Sequence, residues 1–524
     1  MNSSRLDILQ MRLDGIAQGM QETLFRTAVS PVVREGYDAA CALFTADGEL
    51  LALSEAIPLL LGALPGSVEG ILSAYPASDM RTGDLFCMND PFAGGTHLPD
   101  ITVLMPIYAE ERLVAFAASI LHHQDVGGMR PGSVPPDATD IFQEGLRLPP
   151  MRLGRAATIG LDAVRLIESN SRTPDTVLGD LRAQVAAAVR AARAVRAIVA
   201  EQSAQAFVSA TRACLDRGEA QIRALIDGLP RGPHEGSDGL DPAPGLPDVT
   251  IKVALTFSNA TLRADFAGSS PQVAAPVNCV RSGPLSAVVY ALLSIAGPGT
   301  FRNGGLLRAI SLVLPQGCVV NASPPAAVNA RMGLVRATTS AVLQAMAQAL
   351  PDRMPAANSG MSYVLAFSGC GLDGRPFVST EIIAGGAGGG PSAAGAAAIS
   401  TDVGNAMNMP AEALEQMAPV RVVTAAIRRG SGGAGTLRGG DGIRREYEAL
   451  ADNISVSLRG ERVRRTPAGL LGGYAPKPSR AAVVRADGRE VELTARSAFQ
   501  LNAGDRLIVE SCGGAGYGPP PADG

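Results

Sequence analysis

Asn89-Asp90-Pro91-Phe92-Ala93-Gly94-Gly95-Thr96-His97-Leu98-Pro99-Asp100 opens a stretch that closes on Leu121-His122-His123-Gln124-Asp125-Val126-Gly127-Gly128. Between its ends lie Val103 to Tyr108 and Leu113 to Leu121, two apolar runs joined by the charged turn Glu110-Glu111-Arg112. Runs of this kind predict paired strands. A second pair, Asp38 to Phe44 and Leu50 to Leu53, is joined by Ala46-Asp47-Gly48, a hairpin signal. Ahead of them, Leu6, Leu9, Leu13, Ile16, Met20 and Leu24 form a helical stripe over 4–27.

Working outward, an Ala/Arg-rich segment from about Asp175 to Leu229 predicts a long helical stretch, opened by Thr173-Pro174-Asp175. Residues 230–247 are Pro/Gly-rich and predict a linker or surface loop. Ile251 to Phe257 and Leu262 to Phe266 predict a further hairpin, and 333–350 a helix ending before Pro351. Residues 384–398 are a Gly/Ala tract without a packing pattern, and the last hundred residues alternate short apolar runs with glycine clusters. Sheets and long helices without regular βαβ alternation predict an α+β fold. It should have multi-layer mixed or antiparallel sheets and a β-rich C-terminal part. At 524 residues several domains are expected. They are placed at 1–229, carrying the histidine cluster, 230–395, and a Gly-rich 396–524.

Composition excludes some classes of function. The net charge is −4, so no basic stripe is available to neutralise phosphates, and nucleic acid is not expected as a partner. Lys252 and Lys477 are the only lysines among 45 basic residues, and neither sits in Gly-Lys-Ser/Thr, so there is no P-loop. The seven cysteines show no CxxC spacing, which predicts reduced, buried thiols and a cytoplasmic protein. The first residues carry charges where a signal peptide would be apolar. The apolar centre Ala287 to Ala296 is too short for a bilayer and predicts a buried helix, so no membrane partner is expected. Gly430 to Gly440 resembles a phosphate cradle only superficially, and Cys512 to Pro519 predicts a structural turn.

Three of the four histidines, His97, His122 and His123, fall within this one region, with Asp90, Asp100 and Asp125 among them. His and Asp together suit Mn2+, Fe2+ or Zn2+ in a mixed nitrogen and oxygen site with a place left for water. The alternative for His97 and Asp100 is a structural hydrogen-bonded pair. Asp90 and Asp125 are equally read as loop caps beside Gly and Pro. His122 and His123 end a strand and point to opposite faces, so one of them joins His97, and spacing alone leaves open which.

Taken together, these residues resemble the hydantoinase B/oxoprolinase family, which includes the B chains of ATP-dependent hydantoinases and the α chain of acetone carboxylase. The resemblance rests on Asn89-Asp90-Pro91-Phe92-x-Gly94-Gly95-Thr96-His97-Leu98-Pro99-Asp100, Asp38 to Phe44, Ala138 to Pro150, Asp180 to Gln184, Asn303-Gly304-Gly305, Pro410 to Glu415, Ser431 to Gly440 and Gly513 to Gly518. It implies a divalent metal on Asp38, His97, Asp100 and His122, with His123, Asp125 or Glu144 orienting ligands or moving protons. It implies that ATP and Mg2+ sit on a hydantoinase A-like partner, which phosphorylates a cyclic amide. This chain then hydrolyses the activated amide within a hetero-oligomer holding two copies of each subunit. The alternatives are a component of an ATP-dependent ketone carboxylase and a non-catalytic scaffold in such a complex. One departure is Leu60, where the family usually has histidine; Glu415-Gln416-Met417-Ala418-Pro419 is another, lacking the usual aromatic-Pro ending.

Overall fold

The N-terminal stripe becomes helix α1 (Ser3–Thr27), with Leu13, Met20 and Leu24 fully buried. It is followed by the single turn α2 (Pro31–Arg34) and the first sheet. The computed structural model describes residues 3–521, apart from 56, 244 and 362. The first sheet holds β1 (Ala39–Thr45), β2 (Leu50–Leu53), β3 (Leu85–Met88), β4 (Asp100–Ala109), β5 (Arg112–His122), β6 (Met151–Arg155) and β7 (Thr158–Ile159). Their order is β2-β1-β5-β4-β3-β6-β7, antiparallel throughout. Both faces are covered, so successive side chains of β1 enter different cores. Cys41 and Leu43 pack with the helical core of α1, while Ala40, Ala42 and Phe44 pack with the core on the other side.

Helices α3 (Ala63–Ala74) and α4 (Leu161–Asn170) precede the long helical stretch, which is two helices, α5 (Pro174–Ala200) and α6 (Ala204–Asp227). The break falls at Ser203, whose extended backbone and hydroxyl, accepting from the Ala206 amide, cap the second helix. The expected linker differs. His234–Gly239 is strand β8, paired antiparallel with β9 (Thr250–Ser258). Glycine permits this: a Cβ at Gly236 would lie 1.9 Å from the Ala341 carbonyl oxygen, so helix packing, not a linker role, selects the small residue. Strands β10 (Thr261–Asp265) and β11 (Ile310–Val313) complete the second sheet, and β10–β11 is its parallel pair. Helices α7 (Ser282–Ile295) and α8 (Met332–Ala349) bury their apolar faces in the same core.

A third sheet is built from β12 (Tyr363–Cys370), β13 (Pro376–Ile383), β16 (Ile454–Arg459) and β19 (Arg496–Leu501). The fourth holds β14 (Val420–Arg428), β15 (Gly442–Ala449), β17 (Arg480–Val484), β18 (Glu490–Glu492) and β20 (Arg506–Glu510), with α9 (Ala411–Met417) leading in. The layers agree with the α+β expectation, and contacts run across the expected domain limits. Strand β12 pairs with β16 across 395/396. Ile222 of α6 shares one core with Phe116 and Ile251, across 229/230.

The glycine tracts are neither patternless nor a simple turn. Segments within 385–398, 430–440, 469–474 and 512–518 run side by side as extended chains. They bond through Gly440 N to Ala387 O (2.8 Å), Gly514 N to Gly440 O (2.9 Å), Gly433 N to Gly514 O (2.8 Å) and Gly516 N to Tyr474 O (2.9 Å). All seven cysteines are free thiols, and only Cys370 is exposed. Among the described residues no helix is long and apolar enough to cross a membrane.

Candidate metal centre

The signature loop is folded by its own residues. Asp90 Oδ1 accepts from the Phe92 amide (3.0 Å) and starts a short turn over Pro91–Ala93. Gly94 then takes φ +112°, where a Cβ would lie 2.1 Å from the Gly66 carbonyl oxygen, so only glycine serves. The chain turns inward and delivers Thr96 and His97 to the interior. Asp100 begins β4 and is in register with His122, the last residue of β5. The His122 amide donates to the Asp38 carbonyl (3.1 Å) just ahead of β1. Three neighbouring strand ends thus bring Asp38, His122 and Asp100 into a row, and the loop lays His97 over it.

One ligand atom each from His97, Asp100 and His122 lie within 4.8 Å of one another. Asp38 lines the same cavity. His97 Nδ1–H donates to the Asn329 carbonyl (3.1 Å), which leaves the lone pair on Nε2. That Nε2 lies 3.0 Å from Asp100 Oδ1 yet makes no hydrogen bond, and His122 Nδ1 is buried without one. Asp100 Oδ2 is held by Thr96 Oγ1 (2.5 Å) and Arg331 Nη2 (2.7 Å), which frees Oδ1.

The charge states favour ligation. Burial pushes both imidazoles down, with Arg331 adding to the effect at His97 and His97 at His122, which falls to about 3. Burial raises the Asp100 carboxyl, but the positive charge beside it, with Arg331 Nη2 at 2.7 Å, outweighs that and holds Asp100 below the usual carboxylate range. Burial, reinforced by Asp100, lifts Asp38 to about 7. Two neutral nitrogens and a carboxylate oxygen, oriented and uncommitted, converge on one point. Such a donor set fits a divalent cation. The surrounding cavity is about 60 Å³, walled by Leu59, Leu60, Val134, Met332, Val364 and Ile382. Leu60 lines this cavity, so the position that departs from the family's usual histidine is apolar here.

The three residues expected to move protons separate. His123 points to the opposite face of β5, where Nε2 meets Gln184 Oε1 (3.3 Å) of α5. Asp125 accepts from the amides of Gly127 (2.8 Å), Gly132 (2.9 Å) and Arg172 (3.1 Å), the loop-capping role. Neither lines the cavity. Glu144 is fully buried and accepts from the Val328 (3.1 Å) and Asn329 (2.7 Å) amides. Burial lifts its carboxyl to about 8, against the pull of those amides, Arg459 and Arg331. Its two bonds hold the backbone at Val328 and Asn329, and the Asn329 carbonyl accepts from His97 Nδ1. Glu144→Gln should leave one of the two amides facing an NH2 group and lower stability by about 1–3 kcal/mol. Cation affinity should fall about 10–100-fold. Denaturant unfolding and metal titration of the variant check both. Sequence reasoning missed Asn329, Arg331 and Arg459, for which no local motif gave a signal.

The match to the sequence model of hydantoinase B/oxoprolinase runs over residues 2–520. The chain belongs to the hydantoinase B/oxoprolinase family. This family member is 30% identical over 467 residues to the putative B chain of a D-/L-hydantoinase from a Pseudomonas species, covering 86% of this chain and 78% of that one. It is 28% identical over 521 residues to the 5-oxoprolinase of Dictyostelium discoideum, covering 98% of this chain and 40% of that protein. The family member thus spans about two fifths of that oxoprolinase. The crystal structure of the ATP-dependent caprolactamase from Pseudomonas jessenii superposes with a TM-score of 0.91 at 26% identity, over all of this chain and 93% of the other.

Proposed function

We propose that this chain is the metal-dependent, ring-opening component of an ATP-dependent cyclic-amide hydrolase, acting on an amide phosphorylated by a hydantoinase A-like partner. The carrying observation is the convergence of two uncommitted imidazole nitrogens with Asp100 Oδ1. The names of the hydantoinase, oxoprolinase and caprolactamase relatives support the substrate class. His97, Asp100, His122 and Asp38 would hold the cation, which would supply Lewis acidity and lower the pKa of water towards about 7. The Asn329 carbonyl fixes the His97 tautomer, and Thr96 with Arg331 orients Asp100.

An unstrained amide resists water through resonance, and phosphorylation of its oxygen weakens that resonance. One water adds at the activated carbon, the ring C–N bond breaks, and a second water hydrolyses the acyl phosphate left behind. The apolar wall keeps bulk water out and strengthens every charge interaction inside. A cavity of about 60 Å³ holds the reacting group, so a whole ring enters only when that wall moves. The pair works in the cytoplasm as a hetero-oligomer.

Protein produced with Mn2+, Zn2+ and Fe2+ supplied should retain one divalent cation per chain on elemental analysis. Mixed with its A-like partner, it should open a hydantoin, 5-oxoproline or a lactam only when ATP is present. Retention of none of the three metals would overturn the reading.

A further inference from the structure

The charges around the cavity do not balance. Arg331 is answered by Asp100 at 2.7 Å. Arg459, at the end of β16, also lines the cavity and is only 7% exposed. Among the described residues no carboxylate lies in ion-pair range of it. Its Nη1 is steadied by Asn329 alone, through the carbonyl oxygen (3.3 Å) and Oδ1 (3.4 Å), both neutral and distant. Its neighbour across the sheet, Arg496, is answered by Glu461. Burial, with Arg331 adding to it and Glu144 opposing it from beyond ion-pair range, lowers the Arg459 guanidinium to about 10. Add the dication of the proposed function. Even with Asp38, Asp100 and Glu144 all ionised, three negative charges then face four positive ones. A buried guanidinium is stable when paired, and its planar fork matches the oxygens of a tetrahedral oxyanion.

We propose that Arg459, held by Asn329, is the seat of the phosphoryl group of the activated substrate. The proposal rests on the function proposed above and adds the residue that recognises the activating group. Arg459 lines the same cavity as the ligand set, so an anion held by it lies beside the ligands, and the rest of the substrate enters when the apolar wall moves. Free phosphate leaving the reaction carries the same chemistry and would occupy the same seat.

Calorimetric titration of the full chain with inorganic phosphate, and with a phosphonate analogue of an O-phosphorylated lactam, tests this. Wild type should bind one anion per chain. Arg459→Met should bind about 10–100-fold more weakly, and Arg459→Lys, which keeps the charge but not the fork, should fall between. Tighter binding of the analogue would identify the phosphorylated amide as the natural occupant, and equal binding would identify released phosphate; both support the seat. Wild type that binds neither ligand overturns it, as does a folded Arg459→Met that binds as wild type does. If Arg459→Met fails to fold, Arg459→Lys decides, and unchanged affinity there overturns the proposal. Metal content measured on the same samples separates the two readings. Retained metal without anion binding strikes Arg459 alone, whereas anion binding without retained metal strikes only the metal reading.

Discussion

His97→Ala should lose the cation and lower ring opening by the reconstituted pair more than about a hundredfold, beyond what losing a supporting residue costs. The substitution removes Nε2, the nitrogen whose lone pair the Asn329 carbonyl secures. Asp38, Asp100 Oδ1 and one nitrogen of His122 remain, a set that has lost one of its two imidazoles and should hold a divalent ion far less firmly. The fold should survive. The imidazole's one hydrogen bond goes to the Asn329 carbonyl, which still accepts from Arg459 Nη1 (3.3 Å), so its loss costs about 1 kcal/mol against a total of about 5–15 kcal/mol. Elemental analysis, circular dichroism and an ATP-dependent ring-opening assay on the same preparation check the outcome. Full turnover after the substitution would instead favour the scaffold reading, in which Leu60 marks a centre that has lost its chemistry.

The centre was legible because its parts are local. His97, Asp100 and the His122-His123 pair sit at strand ends or in one glycine-built loop, whereas Asp38 and the choice of His122 came only from the family resemblance; antiparallel pairing of β1, β5 and β4 then brings Asp38, His122 and Asp100 together. The pleat showed that His122 and His123 diverge but not which faced inward, since both faces of this sheet are buried. Asn329, Arg331 and Arg459 were illegible for the opposite reason. They arrive from more than 200 residues away, and nothing local marks one arginine out of so many as the one that answers Asp100. The break between the two long helices was missed and the strand at His234 misread because capping at Ser203 and close approach at Gly236 depend on neighbours the local pattern does not contain.

The glycine tracts bear the second large effect. Gly388→Ala should cost more than about 4 kcal/mol, because its Cβ would lie 1.8 Å from the Ala356 carbonyl oxygen and 2.5 Å from its carbon. Both are backbone atoms that cannot turn aside. Gly514→Ala meets the Ala387 carbonyl oxygen at the same 1.8 Å and should behave alike. Gly390, two residues from Gly388, meets nothing nearer than 3.8 Å, so Gly390→Ala should stay within about 0.5 kcal/mol of wild type. Denaturant midpoints and soluble yield of the three variants make the comparison. Near-equal stability of all three would mean that the tracts are not interlocked as described. The consequence reaches the metal centre. Strand β13, whose Thr380 and Ile382 wall the cavity, runs directly into the first tract at Ala384. Loosening the bundle should therefore weaken cation retention even where no ligand has been touched, and metal content measured on marginally stable Gly388 or Gly514 variants reads that coupling.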